Sequence, residues 1–203
     1  MTATGTTGRP DPTADTMPTP MPSKAHSHPS SHLPGHSSAH PHSPPDPLML
    51  RRAFGCFPTG VTVITTHSNE AVPVGLTVNS WTSLSLDPPL VLWALGRHSV
   101  SLPVFETTGH FAVNILCEDQ AWLSRRFATR GDDKFAGVPV RPGLHGLPLI
   151  EGCSAHIECR MHSRLPGGDH LLLLGEVERV DVLARPPLVY AKGRYHRLGL
   201  AAD

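Results

Sequence analysis

The sequence predicts a mainly β protein, an antiparallel barrel or sandwich carrying a few short helices. Three observations lead there: many short apolar runs, several alternating with period two; few stretches with helical character; and tight turns rich in Pro and Gly between the runs.

The elements follow in order from Leu48. Residues 1–47 hold half of the 22 prolines and no Phe, Trp or Tyr. Their sparse apolar side chains do not offset the entropy of ordering the backbone, so they are expected to form a disordered tail ahead of a domain at 48–203. "PLMLRRAFGCFPTG" reads as a short helix stopping between Gly55 and Gly60, "VTVITTH" as a β-branched strand and "SNEA" as a turn. In residues 72–80, Val72, Val74, Leu76 and Val78 take one face of a strand while Gly75, Thr77 and Asn79 take the other. The alternation resumes with Leu84 and Leu86 against Ser83 and Ser85, and "DPP" separates it from the apolar strand "LVLWAL". A loop with a short helix and the strand "HFAVNIL" come next. "EDQAWLSRRFATRG" is the best helix, with acidic residues to open it, Arg125 and Arg126 near its end and Gly131 to stop it. In "CSAHIECRMH", Cys153, Ala155, Ile157, Cys159 and Met161 are expected inward, and Ser154, His156, Glu158, Arg160 and His162 outward. "DHLLLLGEVERVDVL" and "PLVYAKGRY" supply the last strands.

Composition narrows the function classes. The 203 residues carry 17 Lys and Arg against 17 Asp and Glu, a net charge of zero. That balance, without a basic cluster, argues against nucleic acid or an anionic membrane as partner. The four cysteines form no CxxC pair, and no leader or membrane-spanning run appears. The expectation is a cytoplasmic protein with reduced, mostly buried thiols. The tail carries His26, His28, His32, His36, His40 and His42, a density with some capacity for transition metals. A solvated, compositionally biased leader explains it as well, and no metal site is expected.

Motifs exclude further classes. GxGxxG, GxxxxGK[ST], GxSxG and HExxH are all absent, so a Rossmann site, a P-loop, a hydrolase elbow and a zincin site have no support. A β-barrel can still hold a nucleotide-like cofactor with short uncharged side chains and free backbone along one strand, glycine giving close approach. Gly75, Thr77, Asn79 and Ser80 fit that description. They equally fit the solvated face of an ordinary antiparallel strand.

"FPTGVTVITT", "PVGLTVNSWTSLSLDPPLVLWAL", "GHFAVNIL", "SRRFA", "DKFAG", "GGDHLLLLGEVE" and "GRYHRL" resemble, in this order, the short-chain flavin reductases. These are the reductase components of two-component flavin monooxygenases, and the resemblance covers about residues 48–198. It implies an FMN-binding split β-barrel of antiparallel, Greek-key type, working as a homodimer. It places Pro73, Val74, Gly75, Leu76, Thr77, Asn79 and Ser80 along the flavin, and Ala94, Leu95, Val100 and Ser101 at the ribityl and phosphate region. Arg126 with Phe127 would stand near the phosphate. An arginine suits a phosphate dianion as a bidentate donor, although it also suits a helix C-terminus. The nicotinamide side would be formed by His170, the candidate catalytic residue, with Tyr190, Lys192, Gly193, Tyr195 and His196. His170 has a second reading as a turn residue satisfied by local backbone.

The implied activity is hydride transfer from NADH or NADPH to FMN, with FAD as the other flavin, and delivery of reduced flavin to a separate monooxygenase. The protein would stack the rings and stabilise the charge that flavin gains, which an uncharged strand suits better than a carboxylate does. Three rivals share part of the pattern: a flavin carrier without catalysis, a metal-handling protein built on the tail, and an oxidase of a phosphorylated pyridoxal-type substrate.

Overall fold

The computed structural model describes residues 44–131 and 133–199; the histidines of the tail lie outside them. Helix α1 (Pro47–Phe54) begins one residue ahead of the expected domain boundary at 48, because the Asp46 carboxylate accepts from the Leu48 N–H at 3.1 Å and Pro47 fits the first turn. The strands are β1 (Thr59–Gly60), β2 (Thr62–His67), β3 (Pro73–Val78), β4 (Thr82–Leu86), β5 (Pro89–Gly96), β6 (His110–Ile115), β7 (Val140–Pro142), β8 (Pro148–Ile150), β9 (Ala155–Gly167), β10 (His170–Val182), β11 (Val189–Ala191) and β12 (Arg194–His196). Helices α2 (Leu102–Thr107) and α3 (Ala121–Ala128) interrupt them. No helix among the described residues is long and apolar enough to cross a membrane.

Seven strands form one antiparallel sheet in the order β3-β2-β6-β9-β10-β5-β4. Its two edge strands, β3 and β4, are consecutive and joined by only residues 79–81, so the sheet curls until its ends nearly meet without pairing. The barrel is therefore split, and Asn79 and Ser80 lie at the gap. Inside it, Trp93 packs edge-on against Phe105 and Phe111 with Ile64, Val113, Cys159 and Leu173 around them. A second core, with Val61, Val63, Leu123, Phe127 and Leu188, lies on the other face of β2, under α3 and the small β1-β11-β12 sheet. That is why β2 is buried on both faces and reads as an unbroken β-branched run.

The structure corrects three expectations. Helix α3 is shorter than its sequence signal: Glu118 and Asp119 precede it, and it stops at Ala128, ahead of Gly131. Thr129 is extended there and its hydroxyl donates to the Arg126 carbonyl at 2.8 Å. Leu84 and Leu86 face solvent rather than core, because β4 is a sheet edge; Leu86 is 94% exposed. Ser154, His156 and Glu158, expected outward, are buried because the β7–β8 hairpin covers that face of the sheet. Cys153 and Cys159 do belong to the cores, and burial pushes both thiols up to about 12.

Candidate functional site

Strand β3 has a cleft at each end. Its inward side chain Val78 joins the core, and Val74 and Leu76, partly buried, pack against it. Its outward face meets α3. A Cβ at Gly75 would come within 2.7 Å of the Phe127 ring, so helix packing by itself uses the close approach that this glycine permits. The Thr77 hydroxyl donates to the Ser124 carbonyl of α3 at 2.7 Å.

The first cleft, about 290 Å³, opens where α3 ends and the split begins. Thr77 and Asn79 line it from β3, Ser124 and Ala128 from α3, and Tyr190 and Tyr195 from the β11–β12 hairpin. Ser124 Oγ and Tyr195 Oη are hydrogen-bonded at 2.9 Å, and the two tyrosine rings lie 5.4 Å apart. The Asn79 amide makes no hydrogen bond among the described residues. No carboxylate lines this cleft. Ser80, beside Asn79, is engaged elsewhere: its hydroxyl accepts from the Ala94 N–H at 3.0 Å and donates to the Ala94 carbonyl at 3.2 Å, bracing the split against β5.

The second cleft, about 430 Å³, is lined by Pro73, Val74 and Gly75 together with Val100 and Ser101 before α2. Lys134 enters from the segment after α3, its Nζ 3.2 Å from the Phe127 carbonyl and 3.4 Å from that of Gly75. Burial holds the Lys134 ammonium below the usual lysine range. Asp133 also lines this cleft. Lys134 was missed in the sequence: "DKFAG" was visible as a motif, but nothing in it separates this lysine from a solvated one.

Other expected residues lie elsewhere. Leu95 faces the barrel core and Phe127 the second core, both 1% exposed, and Leu76 packs against the barrel core; none of the three side chains lines either cleft. Arg126 donates to the Ala136 carbonyl at 2.7 Å and lies over Trp122, lining neither cleft. His170 opens β10 opposite Gly96 and bonds Asp169 at 2.7 Å; it also lines neither cleft. The hydrogen bond from His170 lowers the Asp169 carboxyl below its ordinary range. Lys192 and Gly193 form the tight β11–β12 turn, with φ of 47° and 77°, as a two-residue hairpin of this hand requires. They border a third cleft, about 390 Å³, facing Arg51 and Arg52 of α1. The His196 ring meets the Ala191 carbonyl at 3.2 Å.

The arrangement gathers residues from both expected half-sites. Thr77 and Asn79, from the strand assigned to flavin, share a cleft with Tyr190 and Tyr195, from the segment assigned to nicotinamide. Pro73, Val74, Gly75, Val100 and Ser101 share another with a lysine.

The model of the flavin reductase like domain matches residues 54–199. A Streptomyces coelicolor protein named actinorhodin polyketide dimerase is 43% identical over 158 residues, covering 77% of this chain and 89% of that protein. The reductase subunit HsaB of a flavin-dependent monooxygenase from Mycobacterium tuberculosis is 43% identical over 153 residues, 74% of this chain and 81% of its own length. Among solved structures, the Streptomyces globisporus NADH:FAD oxidoreductase SgcE6 in complex with NAD and FAD fragments superposes with a TM-score of 0.75. It is 42% identical, and the match covers 81% of this chain and all of that one, 100%. With a family model spanning nearly the whole described domain and relatives above 40% identity, this chain belongs to the flavin reductase-like domain family.

Proposed function

We propose that the protein is an NAD(P)H-dependent flavin reductase that takes FMN, or alternatively FAD, and passes the reduced flavin to a flavin-dependent monooxygenase component. The observation that carries this reading is the cleft shared by Asn79 and the two tyrosines. It offers an unpaired amide and an aromatic pair, without a carboxylate, at the gap of a split barrel.

The residues fit a flavin. β3 is an edge strand, so one side of its backbone keeps free N–H and C=O groups for a ligand. Asn79 adds a donor and an acceptor, and Tyr190 and Tyr195 offer faces for a planar ring. At the other end Lys134, with Ser101 nearby, supplies the cation that a flavin phosphate needs, in place of Arg126. Flavin and nicotinamide, when bound, supply the hydride chemistry between them. The chain's part is to hold the two rings against each other and to keep carboxylates away from the charge that reduction creates. Arg51, Arg52 and Lys192 at the third cleft would receive the phosphates of the nicotinamide dinucleotide. His170 keeps a role only where a bound dinucleotide extends to the start of β10.

Two finer readings belong to the same proposal. The exposed Leu84 and Leu86 on β4 favour a homodimer that covers them. The four free cysteines, three of them buried, favour a reducing compartment such as the cytoplasm.

The test is an assay of purified protein with NADH or NADPH and FMN, FAD or riboflavin in turn. Flavin-dependent oxidation of the nicotinamide is the expected result. Tight flavin binding without turnover of either nicotinamide would instead establish a carrier.

A further inference from the structure

Away from the β3 clefts, three side chains distant in sequence meet on the outer face of the large sheet. His110 opens β6, Glu178 lies in β10, and His145 sits in the turn at Leu144–Gly146 between β7 and β8. Their candidate ligand atoms all lie within 4.8 Å of one another. His145 Nε2 stands 3.4 Å from Glu178 Oε2. This exceeds the usual N–H···O distance of about 2.7–3.2 Å. It matches the edge, about 3.3 Å, of a tetrahedron with metal–ligand bonds of about 2.0–2.1 Å.

Three further features shape the cluster. The His110 and His145 rings stack at 3.8 Å with an interplanar angle of 25°, so one ring must turn about its Cβ–Cγ bond for both to aim a nitrogen at one ion. His110 is partly buried, so its ring is held against the sheet instead of turning freely in solvent. The carboxylate is oriented from its other side: Glu178 Oε1 lies 4.0 Å from Nε of Arg160, whose terminal nitrogen bonds Glu176 at 2.7 Å.

The backbone points the same way. His145 adopts φ of 55° and ψ of 20°, the left-handed region that disfavours side chains, although Gly143 and Gly146 lie close by in the same turn. Its ring is what that conformation brings over His110.

We propose that His110, His145 and Glu178 bind a divalent transition-metal ion of the zinc class, with water in the fourth position, and that the ion clips the β7–β8 hairpin to the sheet. Two imidazoles and a carboxylate suit zinc, nickel or copper better than magnesium or calcium. None of the three residues lines the β3 clefts, so flavin reduction does not depend on the ion.

The test uses the full chain with the six tail histidines replaced by alanine, so that only folded-domain sites are titrated. Zinc chloride is added in a thermal unfolding scan and in calorimetry. The expected result is one ion per chain, and a Tm rise of roughly 5–10 °C at about a hundred times Kd. His145→Gly, which keeps the left-handed turn, loses both signals. Glu178→Gln weakens zinc affinity at least about tenfold. No Tm rise, or an equal rise and equal affinity in both variants, overturns the proposal.

Discussion

Beneath the β7–β8 hairpin and at the gap beyond β3, the protein places polar side chains, an asparagine at each, and it treats them in opposite ways. Under the hairpin these groups are tied to backbone and to one another, with His156 Nδ1 left as the exception. Asn114 donates to the Val63 carbonyl at 2.9 Å and to Thr65 Oγ1 at 3.0 Å, and accepts from the Ile150 N–H at 2.8 Å. Thr65 in turn donates to the Pro148 carbonyl at 2.6 Å, and His156 Nε2 meets the Ile150 carbonyl at 2.8 Å. Glu158 accepts from the Leu144 N–H and pairs with Arg179. At the gap, Asn79 has no such partner. Polar groups that fasten one segment to another are consumed by the fold, whereas those left open at a cleft remain available to a ligand.

Three perturbations break or sharpen this contrast. The largest effect is expected from Asn114→Ala, which strands the Ile150 N–H, removes the amide bonds to Val63 and Thr65, and opens a cavity. It should cost about 3 kcal/mol in urea unfolding while leaving flavin affinity of the folded protein unchanged. An unaltered midpoint would mean that apolar contacts alone hold the hairpin.

A second effect is pH-dependent. Burial lowers the basicity of His156 in the folded chain. Above about pH 6.5 neither state binds a proton there; below it the unfolded chain does so first, and stability falls as the pH drops. A single site contributes up to about 1.4 kcal/mol per pH unit, and His110 acts in the same direction. His156→Gln should flatten the profile between about pH 6.5 and 5; the same slope in the variant would assign it to other groups.

The smallest change in stability, and the sharpest in binding, is expected from Asn79→Leu. Flavin affinity measured by fluorescence titration should weaken about tenfold, with stability altered by no more than about 0.5 kcal/mol. Equal affinity would return Asn79 to the status of a solvated surface residue.

The two regions were not equally legible in the sequence. Period-two alternation locates β3 and β9 because each strand puts one face into a core. Alternation cannot reveal whether the second face is also covered. His156 and Glu158 look like solvent-facing residues until the hairpin at 140–150, short and rich in Pro and Gly, is laid over them. The same ambiguity hid α3 from β3, so Gly75 and Thr77 read as wholly open when Phe127 packs on the one and the Ser124 carbonyl accepts from the other, even though each still lines a cleft. Lys134 and the His110–His145–Glu178 cluster stayed invisible for another reason: each depends on tertiary approach between segments that share no local pattern.

The seam between β3 and β4 bears on residence time. A ligand seated at residues 79–81 stands where no ladder hydrogen bond joins the two strands, so its departure requires no strand to unzip. Its off-rate is then set by the contacts it makes, not by the opening of the protein around it. A diffusible carrier of electrons needs that kinetic property: a short stay at the seam, followed by escape through a wall that was never closed.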